Sequence, residues 1–315
     1  MISFLYESIR YGITLLFGAT GEIVTEKSGH LNLGVPGVMC LGGLGGCVGV
    51  SICASITGTE NISAILLIIF ALVFAFIFAG IAGLIYCLLT VSLRSNQNIT
   101  GLALTYFGFG ITKFFIPETT LYSAVSSKIR GFIPYSGLGG FGELFLSYGF
   151  YAYLAVIIAL AASMFLKRSR VGLHLRAVGE NPATADSAGL NVTKYKYITT
   201  IIGCGIAGLG GMYYMLDYCS GQSLGETVAT VEALGWLSVA LVIFVLWKPN
   251  LAILGAFLFS IFSLLSSVVK TVPTAILNMF PYLITIIVLI ITSIFGSKSV
   301  QPPASLGLNY FREER

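Results

Sequence analysis

The chain has 315 residues, 56% of them hydrophobic and 10% charged, against roughly 25% charged in ordinary soluble domains. That composition excludes a soluble globular domain and points to an integral membrane protein. The formal net charge of +4 then belongs to loops between apolar segments, so it gives no reason to expect a nucleic-acid surface.

Nine apolar segments can be read, at about 11–25, 33–56, 62–93, 99–116, 148–166, 197–216, 232–247, 251–269 and 276–295. A helix needs ~20 residues to cross the hydrocarbon core. The predicted fold class is all-α, a polytopic helical membrane protein of eight to ten spans forming one transmembrane domain over residues 1–315. Glu7 precedes Arg10 and no small-residue cleavage site follows, so no removable signal peptide is expected.

The first segment is short and carries Glu22, on a stripe with Thr14, Gly18 and Thr25. The second is interrupted by Gly34, Pro36, Gly37, Gly42, Gly43, Gly45, Gly46 and Gly49, so both are read as broken or re-entrant elements. Where they meet, S-G-H-L-N-L-G-V-P-G (residues 28–37) interrupts any regular helix around Asn32. Irregular backbone at membrane depth must line a cavity or be covered by protein. The run is therefore either part of a substrate path or a re-entry turn.

The third segment is longer than the hydrocarbon core and should tilt or project. In the fourth, Asn98, Gly101, Thr105, Gly108 and Thr112 recur at spacings of three and four and share one helix face. Asn98 and Glu22 both need polar partners, since a polar group in hydrocarbon is costly. Residues 117–147 mix glycines with aromatics and read as compact loop with an interfacial helix.

Residues 167–196 form a polar island holding six of the seventeen Lys and Arg residues against two acids, Glu180 and Asp186. Inside it Asn181 is a suitable N-cap, Pro182 fits the first helical position, and Gly189 can take a left-handed stop. About two turns of helix result, too few to stand alone in water. This helix is either a connector or a docking element for a soluble subunit.

The sixth segment carries the small-residue ridge Gly203, Ala207 and Gly211, suited to close helix packing. Residues 217–231 are polar enough to dip back into the membrane, and Glu232 with Trp236 follows at the start of the seventh segment. An acid and an indole four residues apart could bind a polar aromatic solute or simply anchor at the interface. The tail beyond residue 297 contains Pro302, Pro303 and a charged end, and is expected to be partly disordered.

Placing the island inside and alternating outward puts twelve basic residues inside and five outside, with an outside N-terminus and an inside C-terminus. An enzyme reading lacks parts. His30 and His174 have no Cys, Asp or Glu at metal-ligand or triad spacing, and the six cysteines lack C-x-x-C spacing. G-E-I-V-T-E-K-S (residues 21–28) approaches a phosphate loop, but Glu26 stands where the second glycine belongs.

Two passages carry a family resemblance: G-E-I-V-T-E-K-S-G-H-L-N-L-G-V-P-G (residues 21–37) and L-R-A-V-G-E-N-P-A-T-A-D-S-A-G-L-N-V (residues 175–192), with weaker likeness through N-Q-N-I-T-G-L-A-L (residues 96–104). The chain resembles the permease subunits of bacterial ABC importers, in the branch of ribose, branched-chain amino-acid and nucleoside systems, and most of all nucleoside permeases. Lys27 replaces the usual Arg, and Pro36 stands where an acid is expected.

The resemblance implies a multi-pass subunit of the bacterial cytoplasmic membrane that moves nucleosides by alternating access and contains no cofactor. ATP and Mg would be bound by a partner ATPase with two fused nucleotide-binding domains. A second, similar permease subunit and an extracytoplasmic solute-binding protein or lipoprotein would complete the assembly. Glu180, Asn181, Pro182, Ala185, Asp186, Gly189 and Leu190 would couple to the ATPase. The residues themselves nominate Asn32, Asn98, Thr105, Glu232, Trp236 and Glu22 for the substrate path. Other readings are a sugar or branched-chain amino-acid permease, an ion-coupled transporter using Glu22 and Glu232, or a structural membrane protein.

Overall fold

The computed structural model describes residues 2–58, 63–116, 122, 126–128, 148–269, 271–295 and 301–311. The predicted loop at 117–147 lies almost wholly outside them. The described chain is helical: α1 (Ile2–Glu26), α2 (Val35–Thr57), α3 (Ala64–Cys87), α4 (Gln97–Phe115), α5 (Phe150–Arg168), α6 (Arg170–Glu180), α7 (Pro182–Ser187), α8 (Val192–Tyr213), α9 (Leu224–Phe244), α10 (Pro249–Val268) and α11 (Thr274–Phe295). One π-helical turn, Leu88–Ser92, extends α3, and another, Tyr214–Tyr218, extends α8.

Seven of these helices are long and apolar enough to cross a membrane: α2, α3, α5, α8, α9, α10 and α11. α1 is more polar but also runs between the two ends of the bundle. At one end of α1 the buried Arg10 guanidinium donates to the carbonyls of Asp217 and Tyr218, both at 3.3 Å. At the other end Glu26 accepts from the Trp247 indole. The end holding the polar island is called the island end, and the Arg10 end the far end.

The core is a close crossing of α1, α2 and α8, with α3 packed against both α2 and α8. A Cβ on Gly42 of α2 would run into the backbone of Gly208 of α8, and one on Gly21 of α1 would run into the Gly203 carbonyl. The predicted ridge on α8 is therefore a packing surface: Gly203 and Ala207 meet α1, and Gly211 meets Met39 of α2. Glycine lets the helix axes approach until backbone touches backbone.

Four sequence expectations need correction. α1 and α2 are not broken, since each is one continuous helix and the irregular backbone is confined to residues 27–34 between them. Burial of nearly the whole of α2 offsets the poor helix propensity of its six glycines. Residues 217–231 do not dip back, because α9 begins at Leu224 after a tight turn with left-handed Ser220, Gly221 and Ser223. Third, Glu232 and Trp236 lie mid-helix. At 1.5 Å per residue they fall about 12 and 18 Å along an α9 of about 30 Å. The apolar run starts later than the helix, whose first two turns carry Glu226, Thr227 and Thr230. Finally, residues 301–311 are packed against the island end.

Candidate functional site

Three segments meet at the island end: the break at residues 27–34, the α6–α7 hairpin, and the tail at residues 301–311. The break leaves helical geometry at Gly29, whose φ of +77° is open to glycine at no steric cost. Its freed backbone groups are then satisfied by side chains. The Leu31 N–H donates to Gln97 Oε1 at 2.9 Å and the Leu31 carbonyl accepts from the Tyr86 hydroxyl. The Asn32 N–H donates to Glu22 Oε1 at 3.2 Å, and the Thr105 hydroxyl donates to the Leu33 carbonyl at 3.0 Å. The Asn32 carboxamide accepts from the Gly34 N–H at 2.9 Å and donates to Cys204 Sγ at 3.4 Å.

His30 is fully buried between two threonines. Its Nε2 lies 2.8 Å from Thr90 Oγ1 and its Nδ1 lies 2.8 Å from Thr200 Oγ1. Because the Thr90 hydroxyl already donates to the Tyr86 carbonyl at 2.7 Å, it accepts from His30, which fixes the Nε2–H tautomer with Nδ1 accepting from Thr200. Burial, with Lys196 nearby, pushes the His30 pKa down to about 3, so the ring is neutral. Burial likewise lowers the Lys27 ammonium, against a partial counter-effect of Glu180.

The α6–α7 hairpin is built from local capping. Ser169 accepts from the Gly172 N–H at 2.8 Å and Asn181 from the Thr184 N–H at 3.0 Å, while Gly189 turns the chain with φ of +85°. Ala185 packs with Val178 and Val192 in a small apolar cluster flanked by Leu190 and Tyr310. The tail then straps this hairpin to the break. The Ser305 N–H donates to the Gly179 carbonyl at 3.0 Å, and the Gly307 N–H to that of Gly29 at 3.3 Å. The Tyr310 hydroxyl donates to Asp186 Oδ2 at 2.8 Å, and the Ala304 N–H to Glu180 Oε2 at 3.4 Å.

The structure thus brings Glu22, Asn32 and Thr105 together in the break, with their polar atoms occupied by protein. It leaves Asn98 exposed at the start of α4 and places half-buried Glu232 and Trp236 on α9, where the intervening Gly235 packs on Pro36. Pro36 occupies the first turn of α2, where a missing N–H is harmless. The sequence reading missed Tyr86, Gln97 and His30 as struts of the break, and Ser305 and Tyr310 in the tail. Their partners are mostly far away in the chain, and only the polar residues left inside apolar runs hinted at them. Among the described residues no group of three or more His, Cys, Asp or Glu side chains could hold a metal. Five of the six cysteines are buried and all are free.

The family described as "Branched-chain amino acid transport system / permease component" matches residues 4–289. The chain belongs to that family. Among curated relatives of this permease, a putative glucose ABC transporter permease (TsgC13) of Haloferax volcanii is 35% identical over 81% of this chain and 74% of its own length. A nucleoside ABC transporter permease (NupC) of Lactococcus lactis is 29% identical over 96% of this chain and 95% of its own. The guanosine ABC transporter permease (NupQ) of Bacillus subtilis is 30% identical over 97% and 95%.

The chain is therefore a multi-pass membrane protein and the permease subunit of an ABC importer. It is not itself catalytic, and ATP hydrolysis belongs to a partner ATPase. The near-miss phosphate loop at residues 21–28 is the last six residues of α1 and the first two of the turn after it.

Proposed function

We propose that this permease subunit imports a nucleoside across the cytoplasmic membrane. The observation that carries the reading is coverage: the relatives named for nucleoside and guanosine transport align along almost the whole of both chains. The glucose permease supports a sugar as the second reading through its higher identity, over a shorter stretch. Half-buried Glu232 and Trp236, at mid-depth on α9, offer a carboxylate and an indole suited to a polar aromatic solute. Glu22, Asn32 and Thr105 then hold the break closed, and Asn98 lies away from the path.

The island end faces the cytoplasm in this reading, with the N-terminus outside. α7 docks on the ATPase as a rigid body through Glu180, Asn181, Pro182, Ala185, Asp186, Gly189 and Leu190, and drives alternating access. The ATPase has two fused nucleotide-binding domains. A similar second permease subunit and an extracytoplasmic binding protein or lipoprotein complete the transporter, with residues 1–315 acting as one transmembrane domain.

Uptake of labelled guanosine, uridine and glucose by cells expressing the complete system tests the solute. Guanosine or uridine uptake competed by nucleosides and not by glucose is expected, and uptake of glucose alone would overturn it. Charge reversal of Glu180 and Asp186 is expected to abolish uptake and solute-stimulated ATP hydrolysis while membrane insertion is retained. Undiminished uptake would remove the coupling role.

A further inference from the structure

A cavity of about 560 Å³ opens at the island end between the π turn after α3, the start of α4, the start of α8, α7 and the tail. Two of its lining residues, Thr90 and Gln97, hold the break from behind, no residue of α9 lines it, and the proposed transport leaves it without a task. We propose that it binds a small phosphate-bearing organic anion on the ATPase side, and that the bound anion clamps α7 against the tail and slows transport.

Charge gives the first reason. Among the described residues Arg94, which also stacks on the Phe311 ring, Lys194 and Lys196 line the cavity with one carboxylate, Asp186, which accepts from the Tyr310 hydroxyl at 2.8 Å. Burial gives the second. Lys196 is only 3% exposed, and its ammonium donates to the Leu308 carbonyl at the long distance of 3.5 Å. Among the described residues no carboxylate stands within ion-pair distance of it. A buried cation in that state lacks the counter-charge that burial demands, and a phosphate on the cavity side would supply it.

The cavity includes Thr193 in the first turn of the 22-residue α8, where unbonded N–H groups and the helix dipole favour an anion. Its volume lies within the roughly 300–1,000 Å³ of small-molecule sites, far more than inorganic phosphate fills, and the Tyr310 ring offers a flat surface for the remainder of the ligand.

Resting on the nucleoside reading, the ligand is a nucleoside 5′-monophosphate. It is the product of a kinase-class reaction that consumes the imported solute, so its accumulation would report that uptake suffices.

The test uses the complete transporter, with both permease subunits, ATPase and binding protein, in nanodiscs. Solute-stimulated ATP hydrolysis is titrated with guanosine 5′-monophosphate, glucose 6-phosphate and inorganic phosphate, for the wild type and for Arg94→Gln and Lys196→Met. Inhibition by the nucleotide that weakens at least tenfold in both variants is expected. Arg94 is exposed, so Arg94→Gln keeps the test intact even if Lys196→Met folds poorly. Equal inhibition in wild type and Arg94→Gln would place the effect in the ATPase and overturn the proposal, as would no inhibition by either ester. Inorganic phosphate as potent as the esters would overturn the organic ligand. Variant-sensitive inhibition by glucose 6-phosphate alone would keep the cavity site and defeat the nucleoside reading instead.

Discussion

His30 shows how one side chain can tie a break to two helices. Neutral in the folded state with a pKa of about 3, it returns to about 6.5 when unfolded. Its contribution is thus complete above pH 6.5 and drains away as pH falls toward 3, because only the unfolded chain binds the proton there. At pH 5 the loss is about 2 kcal/mol, from the difference in proton binding. Thermal melts in detergent between pH 7 and 5 are expected to fall for the wild type and to flatten for His30→Gln, and parallel slopes would count against this assignment. Gly208 makes the complementary point about space. Its backbone touches Gly42, and a Cβ would meet Ala79, so Gly208→Val should cost about 1–3 kcal/mol or more by overpacking, seen as a lowered melting temperature and poorer recovery from membranes.

At the scale of elements, the clasp between the tail and α7 is the part most open to dissection. Tyr310→Phe removes one hydrogen bond, to Asp186, worth about 1.5–3 kcal/mol when the acceptor is charged. It is expected to lower solute-stimulated ATP hydrolysis several-fold while leaving assembly with the ATPase intact. Stimulated rates equal to wild type would show that α7 transmits motion without the strap. The contrast between α7 and the tail also explains what a sequence can disclose. α7 was legible because its determinants are local: Asn181, Pro182 and Gly189 each act on the backbone within a few residues. The tail was not, because Ser305, Leu308 and Tyr310 find partners more than a hundred positions away. The continuity of α2 was hidden for a related reason, since its glycines look like breaks until α8 and α3 are set against them. Glu232 was misplaced because hydropathy marks the apolar part of α9 and not its first turns.

For the whole molecule, the two ends of the bundle differ in chemistry. Arg10, with Tyr6 and Tyr218 against its guanidinium, closes the far end, and the polar strap closes the island end. Orientation is the property to test at this scale. In a chain with its natural cysteines replaced by serine, a cysteine at Glu226 is expected to react with a membrane-impermeant maleimide in intact cells. One at Ser187 is expected to react only after permeabilisation. The reverse pattern would invert the transporter and its direction.

The strap has one more consequence, in the order of synthesis. Residues 301–311 follow α11, so they are the last described part of the chain to leave the ribosome, yet they fasten Gly29 near its beginning and Asp186 in its middle. A nascent subunit whose final helix has not yet entered the bilayer cannot fasten them. Until then α7 lacks its contacts with the tail, and on the proposed docking at α7 the ATPase would meet a finished surface only after the preceding helices are in place.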